Sequence, residues 1–253
     1  MTDPFNTLSR VTFPIICDPI TFFSEGLILK GVLHLPQVES PPLVVGSHGL
    51  LSNGDSPKQI ALAHFLNRKG IAFFRFDHRA CGASEGSFGT DMTFEKRAKD
   101  LENAIKSVRR RRPDLGEKTG LFGSSMGGAT VISVSERISH QAIVTLAAPV
   151  RLSSIHVTPE QVKKIPCADH SLFKSGLEFD LSPLLSKLSN ILIFHGEEDP
   201  VVPVSNAMEI FQGANDPKKI ILQKKGDHQV SAPLHQQEFL NETTQWFVER
   251  LLH

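Results

Sequence analysis

The stretch Gly123-Ser124-Ser125-Met126-Gly127 follows a short apolar run at 120–122 and precedes a segment with helical spacing. It fits the pattern G-x-S-x-G with Ser125 at the centre, since Ser124 would need glycine at 122, where the chain has phenylalanine. A strand that reverses into a helix at one serine lifts that hydroxyl out of the turn. The flanking glycines remove β-carbons that would clash, and Gly128 would let the helix pack closely on the sheet. A serine hydroxyl is a weak nucleophile at neutral pH. It needs an adjacent base, and the base needs a carboxylate to orient it. His228, in GDHQV, and Asp199, in HGEEDPVVP, are of those types, and each follows an apolar run. Attack by Ser125 on a carbonyl would create an oxyanion that preorganised N–H donors must meet. The backbone N–H groups of Met126 and of Leu50, in SHGLL, are the candidates.

Each candidate has competitors. Glu197 and Glu198 share a loop with Asp199, and Asp227 adjoins His228, although neighbours in sequence point apart. His235 is the nearest rival base, and it falls inside the expected last helix. His48 and Gly49 are expected to shape the loop that carries Leu50, and Asp77 and Arg79 to tie loops together. Cys81 is expected to be a buried small residue. The run Arg109–Arg112 is expected to be the solvated end of a helix, its cations set favourably against the helix dipole.

These residues must be positioned by the elements around them. Short apolar runs recur at 43–45, 71–76, 120–122, 142–147, 191–194 and 220–222, mostly continuous rather than alternating. That is the pattern of strands buried on both faces in a parallel sheet covered by helices. Helical segments lie between them. Residues 57–70 end in Gly70, and Phe94, Ala98, Leu101, Ile105 and Val108 form one apolar stripe on a helix that stops before Pro113. Further helices are expected after Ser125, over SNAMEIFQ and over 235–252. The opening 20–36 reads as an antiparallel hairpin turning near Glu25 and Gly26. The expectation is one α/β domain over 1–253, mostly parallel, with a small inserted cap at about 151–188, where the rhythm of strands and helices breaks. In open α/β sheets ligands bind beyond the carboxyl ends of the strands, where Ser125, Asp199, His228 and the Leu50 loop would all lie.

The bulk properties narrow the function. The chain has 253 residues, and its 27 Lys and Arg balance 27 Asp and Glu, for a formal net charge of zero. Nothing global steers it to nucleic acid or an anionic membrane surface. Three cysteines, Cys17, Cys81 and Cys167, show no metal-ligand spacing, and their sparse, odd number suits a reducing compartment. No apolar run approaches a membrane span, and the first residues lack a basic segment followed by an apolar one. A cytoplasmic location is the expectation.

The pieces SHGLLSNG, FDHRACGASEG, GSSMGG, HGEEDPVVP and GDHQV, in this order over 46–230, resemble a serine hydrolase of the α/β-hydrolase superfamily. Among its members the chain is most similar to small bacterial esterases of the feruloyl/cinnamoyl-esterase-like type. The resemblance implies the α/β-hydrolase fold with a compact cap at the same place. It implies Ser125, Asp199 and His228 as the triad, with D-P-V-V-P matching the family position of the acid. It implies hydrolysis of carboxylic esters without metal or organic cofactor. Where many relatives read R-G-H-G, this chain reads Arg79-Ala80-Cys81-Gly82, a change that bears on pocket shape. The expected substrate is a small to medium ester, and the oligomeric state is left open. The same triad serves thioesterases, lactonases, peptidases and acyltransferases. A silent hydrolase fold used for binding is the alternative from another class.

Overall fold

The computed structural model describes residues 16–156 and 176–253. β1 (Ile16–Ser24) and β2 (Leu27–Leu35) form the expected hairpin, paired from Ile16 with Leu35 to Ser24 with Leu27. Glu25 and Gly26 turn the chain, both at positive φ (48° and 87°). A two-residue turn of this kind matches the right-handed twist of its strands.

The strands β3 (Leu43–Ser47), β4 (Ala72–Phe76), β5 (Thr119–Ser124), β6 (Ala142–Leu146), β7 (Ile191–Gly196) and β8 (Lys218–Gln223) complete a sheet in the order β1-β2-β4-β3-β5-β6-β7-β8. β2 meets β4 antiparallel, and from β4 onward the pairs are parallel. The continuous apolar runs arise because both faces are covered. On β7, Ile191 and Ile193 enter one core and Leu192 and Phe194 the other. α1 (Pro57–Asn67) and α5 (Pro233–Leu251) cover the second face. α2 (Phe94–Arg111), α3 (Met126–Val134) and α4 (Ser205–Gly213) cover the first.

Several boundaries differ from the sequence reading. α1 stops at Asn67, and Gly70 follows at φ 79° as the chain leaves for β4. The last helix begins two residues early, at Pro233, because proline is well suited to the first turn. α2 carries the expected apolar stripe and is capped by Thr93, whose side chain accepts from the Lys96 N–H at 3.1 Å. Its charged positions do not all face water, however: Arg97, Asp100 and Glu102 are buried. Arg109 also departs from expectation. Its guanidinium donates to the carbonyls of Gly116, Glu117 and Lys118 and to Thr119 Oγ1, stapling the α2–β5 loop rather than standing in solvent.

Of the expected cap at 151–188, residues 157–175 lie outside the described residues. Its described ends meet in a bridge between Arg151 and Asp180, beside short 3-10 turns at Leu152–Ser154 and Ser182–Lys187. Among the described residues no helix is long and apolar enough to cross a membrane.

Candidate active site

Ser125 is the hinge between β5 and α3. Its backbone sits at φ 54° and ψ −124°, a region costing a non-glycine residue about 1–3 kcal/mol. The neighbours explain how it is held. The Ser125 N–H donates to Leu146 O at 2.7 Å, and its carbonyl accepts from Gly128 and Ala129 at the start of α3. A β-carbon on Gly123 would lie 2.2 Å from Gly127 O, and one on Gly127 would lie 2.0 Å from Ser47 O. Gly128 packs so closely that its β-carbon would lie 2.6 Å from Ala148 Cβ. The glycines thus press α3 against β3 and β6, and the α3 N-terminus begins at Met126.

The loops after β7 and β8 bring Asp199 and His228 to Ser125. His228 Nδ1 lies 2.7 Å from Asp199 Oδ2, and His228 Nε2 lies 3.0 Å from Ser125 Oγ. The carboxylate can only accept, so Nδ1 carries the ring proton and Nε2 is free to accept the serine hydroxyl. Asp199 Oδ1 takes the N–H groups of Val201 and Val202 at 2.8 and 2.9 Å. Burial alone would raise the Asp199 carboxyl. Hydrogen bonds from His195, His228 and the Val202 N–H outweigh it and hold the group well below the usual carboxylate range. Among the rivals, Glu197 and Glu198 are exposed, Asp227 accepts from the Ser231 N–H, and His235 belongs to α5.

The loop after β3 approaches from the other side. A β-carbon on Gly49 would lie 3.5 Å from Ser125 Cβ. Neither the Leu50 nor the Met126 N–H is taken by a backbone carbonyl among the described residues. His48 is buried, and its Nε2 accepts the His78 N–H at 3.1 Å. Its proton is therefore on Nδ1, which donates to Gly49 O at 2.6 Å. Beneath it, His78 Nε2 contacts Ser47 Oγ at 2.8 Å, and Asp100 pairs with Arg79 at 2.7 Å. Asp77 binds the Gly54 and Ala83 N–H groups, and Cys81 is buried, its thiol pushed up by that burial.

Three neighbours of the site were not singled out from the sequence. His195 on β7 hydrogen-bonds Val202 O at 2.7 Å and lies 3.4 Å from Asp199 Oδ2. Its position four residues before Asp199 was the available signal. His78 and Arg97 gave none, because only the fold buries them. Among the described residues no cluster of His, Cys, Asp and Glu could hold a metal ion.

The buried histidines make a stability prediction. Burial, then Arg97, pushes His78 down to about 3, and burial, then Arg75, does the same to His34. Both stay neutral in the fold, whereas in the unfolded chain they take up protons below about pH 6.5. The stability they confer is full above that value and is lost as the pH falls toward 3. Between pH 6.5 and 5, urea unfolding should lose about 1 kcal/mol per pH unit for each histidine. An unfolding free energy unchanged from pH 7 to 5 would contradict this.

A sharp strand-to-helix turn at Ser125 on the carboxyl edge of a mostly parallel sheet, following an antiparallel hairpin, defines the α/β-hydrolase fold. The chain belongs to the Hydrolase_4 family, described as serine aminopeptidase S33, whose model matches residues 39–174. It is 26% identical over 185 residues to the Escherichia coli K12 protein YfhR, a match spanning 73% of this chain and 62% of YfhR. In fold it is similar to the Pyrococcus furiosus esterase Pf2001, with a TM-score of 0.79 at 19% identity over 96% of this chain and 97% of that one. It is also similar to Est1E from Butyrivibrio proteoclasticus, solved with ferulic acid bound, with a TM-score of 0.74 at 18% identity over 92% and 100% of the two chains.

Proposed function

We infer that the protein hydrolyses carboxylic esters of small to medium size through an acyl-enzyme on Ser125. The observation that carries this reading is the unbroken line from Ser125 Oγ to His228 Nε2 at 3.0 Å and from His228 Nδ1 to Asp199 Oδ2 at 2.7 Å. Ser125 Oγ attacks the ester carbonyl while His228 Nε2 takes its proton. The Leu50 and Met126 N–H groups receive the oxyanion, with the α3 N-terminus behind Met126 adding its dipole. His228 returns the proton to the leaving alcohol. Water then enters, gives a proton to His228 and attacks the acyl carbon. As the second tetrahedral intermediate collapses, the proton passes to Ser125 and the acid leaves. Asp199 keeps the imidazole in the required tautomer and stabilises its protonated form.

The substrate class is supported by the likeness in fold to the esterase Pf2001, and the Leu50 loop is steadied by packing on a buried cluster of Cys81, Phe88, Met92 and Leu177. In this reading the chain is a single domain in which 151–188 forms a cap that walls the pocket. The cap sequence mixes charges with isolated Leu, Ile and Phe and lacks the broad apolar face of an interfacial lid. A cytoplasmic location completes the reading, supported by Cys17 and Cys81 both being free.

The test is hydrolysis of p-nitrophenyl acetate, butyrate and decanoate in solution beside an emulsified long-chain triglyceride. The expected result is turnover of the soluble short and medium esters at least tenfold faster than of the emulsion. Faster hydrolysis of the emulsion overturns the size assignment. Activity confined to thioesters or peptides overturns the ester assignment and leaves the triad to be judged on Ser125 itself.

A further inference from the structure

Arg97 is the least expected residue near the site. It lies on the inward face of α2, fully buried, and among the described residues no carboxylate forms an ion pair with it, although the charge of Asp100 acts on it. Asp100, one turn further along, is taken by Arg79, whose Nε and Nη2 both reach it. A buried cation without a counter-ion is costly, so its remaining contacts call for an explanation. Nη2 donates to the His48 carbonyl at 2.5 Å, Nη1 contacts Met92 Sδ at 3.8 Å, and the Cys81 thiol lies against the group. Nε has no partner among the described residues. The guanidinium thus sits against the loop of His48, Gly49 and Leu50, joined to it at the His48 carbonyl.

The peptide geometry of that loop gives the contact a consequence. In a trans peptide the C=O and the N–H point in opposite directions. The His48 carbonyl is drawn to Arg97 and the Gly49 carbonyl to His48 Nδ1. Each pull turns the N–H of the same peptide unit, Gly49 and Leu50 respectively, the other way. The imidazole that performs the second pull has its tautomer fixed by the His78 N–H.

We propose that Arg97 is a positioning residue for the oxyanion loop: its buried guanidinium, without an ion-pair partner among the described residues, anchors the His48 carbonyl and holds a positive charge against the His48–Gly49 peptide, the unit that leads into the Leu50 donor. The charge acts on the oxyanion across a low-dielectric interior. It favours the tetrahedral state over the neutral substrate, which is the condition for raising kcat rather than affinity. The proposal rests on the reading of Ser125 as nucleophile and of Leu50 as oxyanion donor.

Three variants on soluble p-nitrophenyl butyrate test it. R97M removes the charge at similar side-chain length, R97Q keeps a donor without charge, and R97K keeps the charge on a different head group. R97M is expected to lose about 10²-fold in kcat, with KM within threefold of wild type. R97K should recover to within tenfold of wild type. Affinity for a short alkylboronic acid, which forms a tetrahedral anionic adduct with an active serine, should weaken with kcat across the series. The proposal is overturned if R97M keeps wild-type kcat, if its loss falls on KM alone, or if R97K is as impaired as R97M. Should R97M not fold, R97Q decides: wild-type kcat overturns the proposal, and a loss of at least tenfold at unchanged KM supports it. Ser125→Ala, run beside them, separates the two levels. If that variant stays active, the triad reading itself has failed, whatever Arg97 does.

Discussion

Ser125→Ala is expected to lower kcat toward esters by about 10⁶-fold, if the scale measured in serine protease triads carries over. Without the hydroxyl there is no atom to form the acyl-enzyme. Ser124 ends β5 rather than standing in the turn, so it cannot replace that hydroxyl. The activity left would come from the oxyanion donors and binding alone. The variant should fold as the parent does, because the Ser125 backbone is held by its bonds to Leu146, Gly128 and Ala129, which alanine keeps. Ester hydrolysis rates and a thermal melt, measured together, check both halves. A variant with an unchanged melt and wild-type turnover would remove Ser125 from the chemistry.

Asp199→Asn is expected to cost about 10⁴-fold in kcat, and the hydrogen bonds around Asp199 explain the size of the loss. Oδ1 receives two backbone N–H groups, from Val201 and Val202. The asparagine carbonyl must stay there to satisfy them, which turns its NH₂ toward His228 Nδ1. A donor facing Nδ1 requires that nitrogen to be unprotonated. The proton then moves to Nε2, the nitrogen that must accept from Ser125. His195 compounds the mismatch, since its Nε2 also faces the replaced oxygen at 3.4 Å. The loss should appear in kcat more than in KM, because the ground-state pocket is untouched. Normal kcat in the asparagine variant would move the role of acid to another carboxylate.

The sheet was legible because burial on both faces leaves a direct mark. Runs such as 191–194 are apolar at every position, and the structure assigns alternate residues to opposite cores. The candidate site was legible for a related reason. Chemistry-bearing residues directly after such runs must fall at the carboxyl edge of the sheet, where Ser125, Asp199 and His228 meet. The layer beneath that edge was not legible. On α2 the sequence shows Arg97 and Asp100 as polar positions beside an apolar stripe, indistinguishable from solvated ones. Their burial depends on Arg79, His48 and Ser24, which arrive from other strands and loops. Arg109 misled for the same reason, since its acceptors are carbonyls of a loop whose path the sequence does not reveal. Helix ends shifted by two or three residues where proline or a left-handed glycine allowed more than one stop.

The central claim is that Ser125 is the nucleophile, and covalent labelling tests it most directly. A fluorophosphonate should add one phosphonyl group per chain, displacing fluoride. Mass spectrometry of the peptides should place the adduct on Ser125, with none on Ser124. The Ser125→Ala protein should remain unlabelled under the same conditions. An adduct on another residue, or no adduct on a wild-type protein shown to be folded, would contradict the assignment.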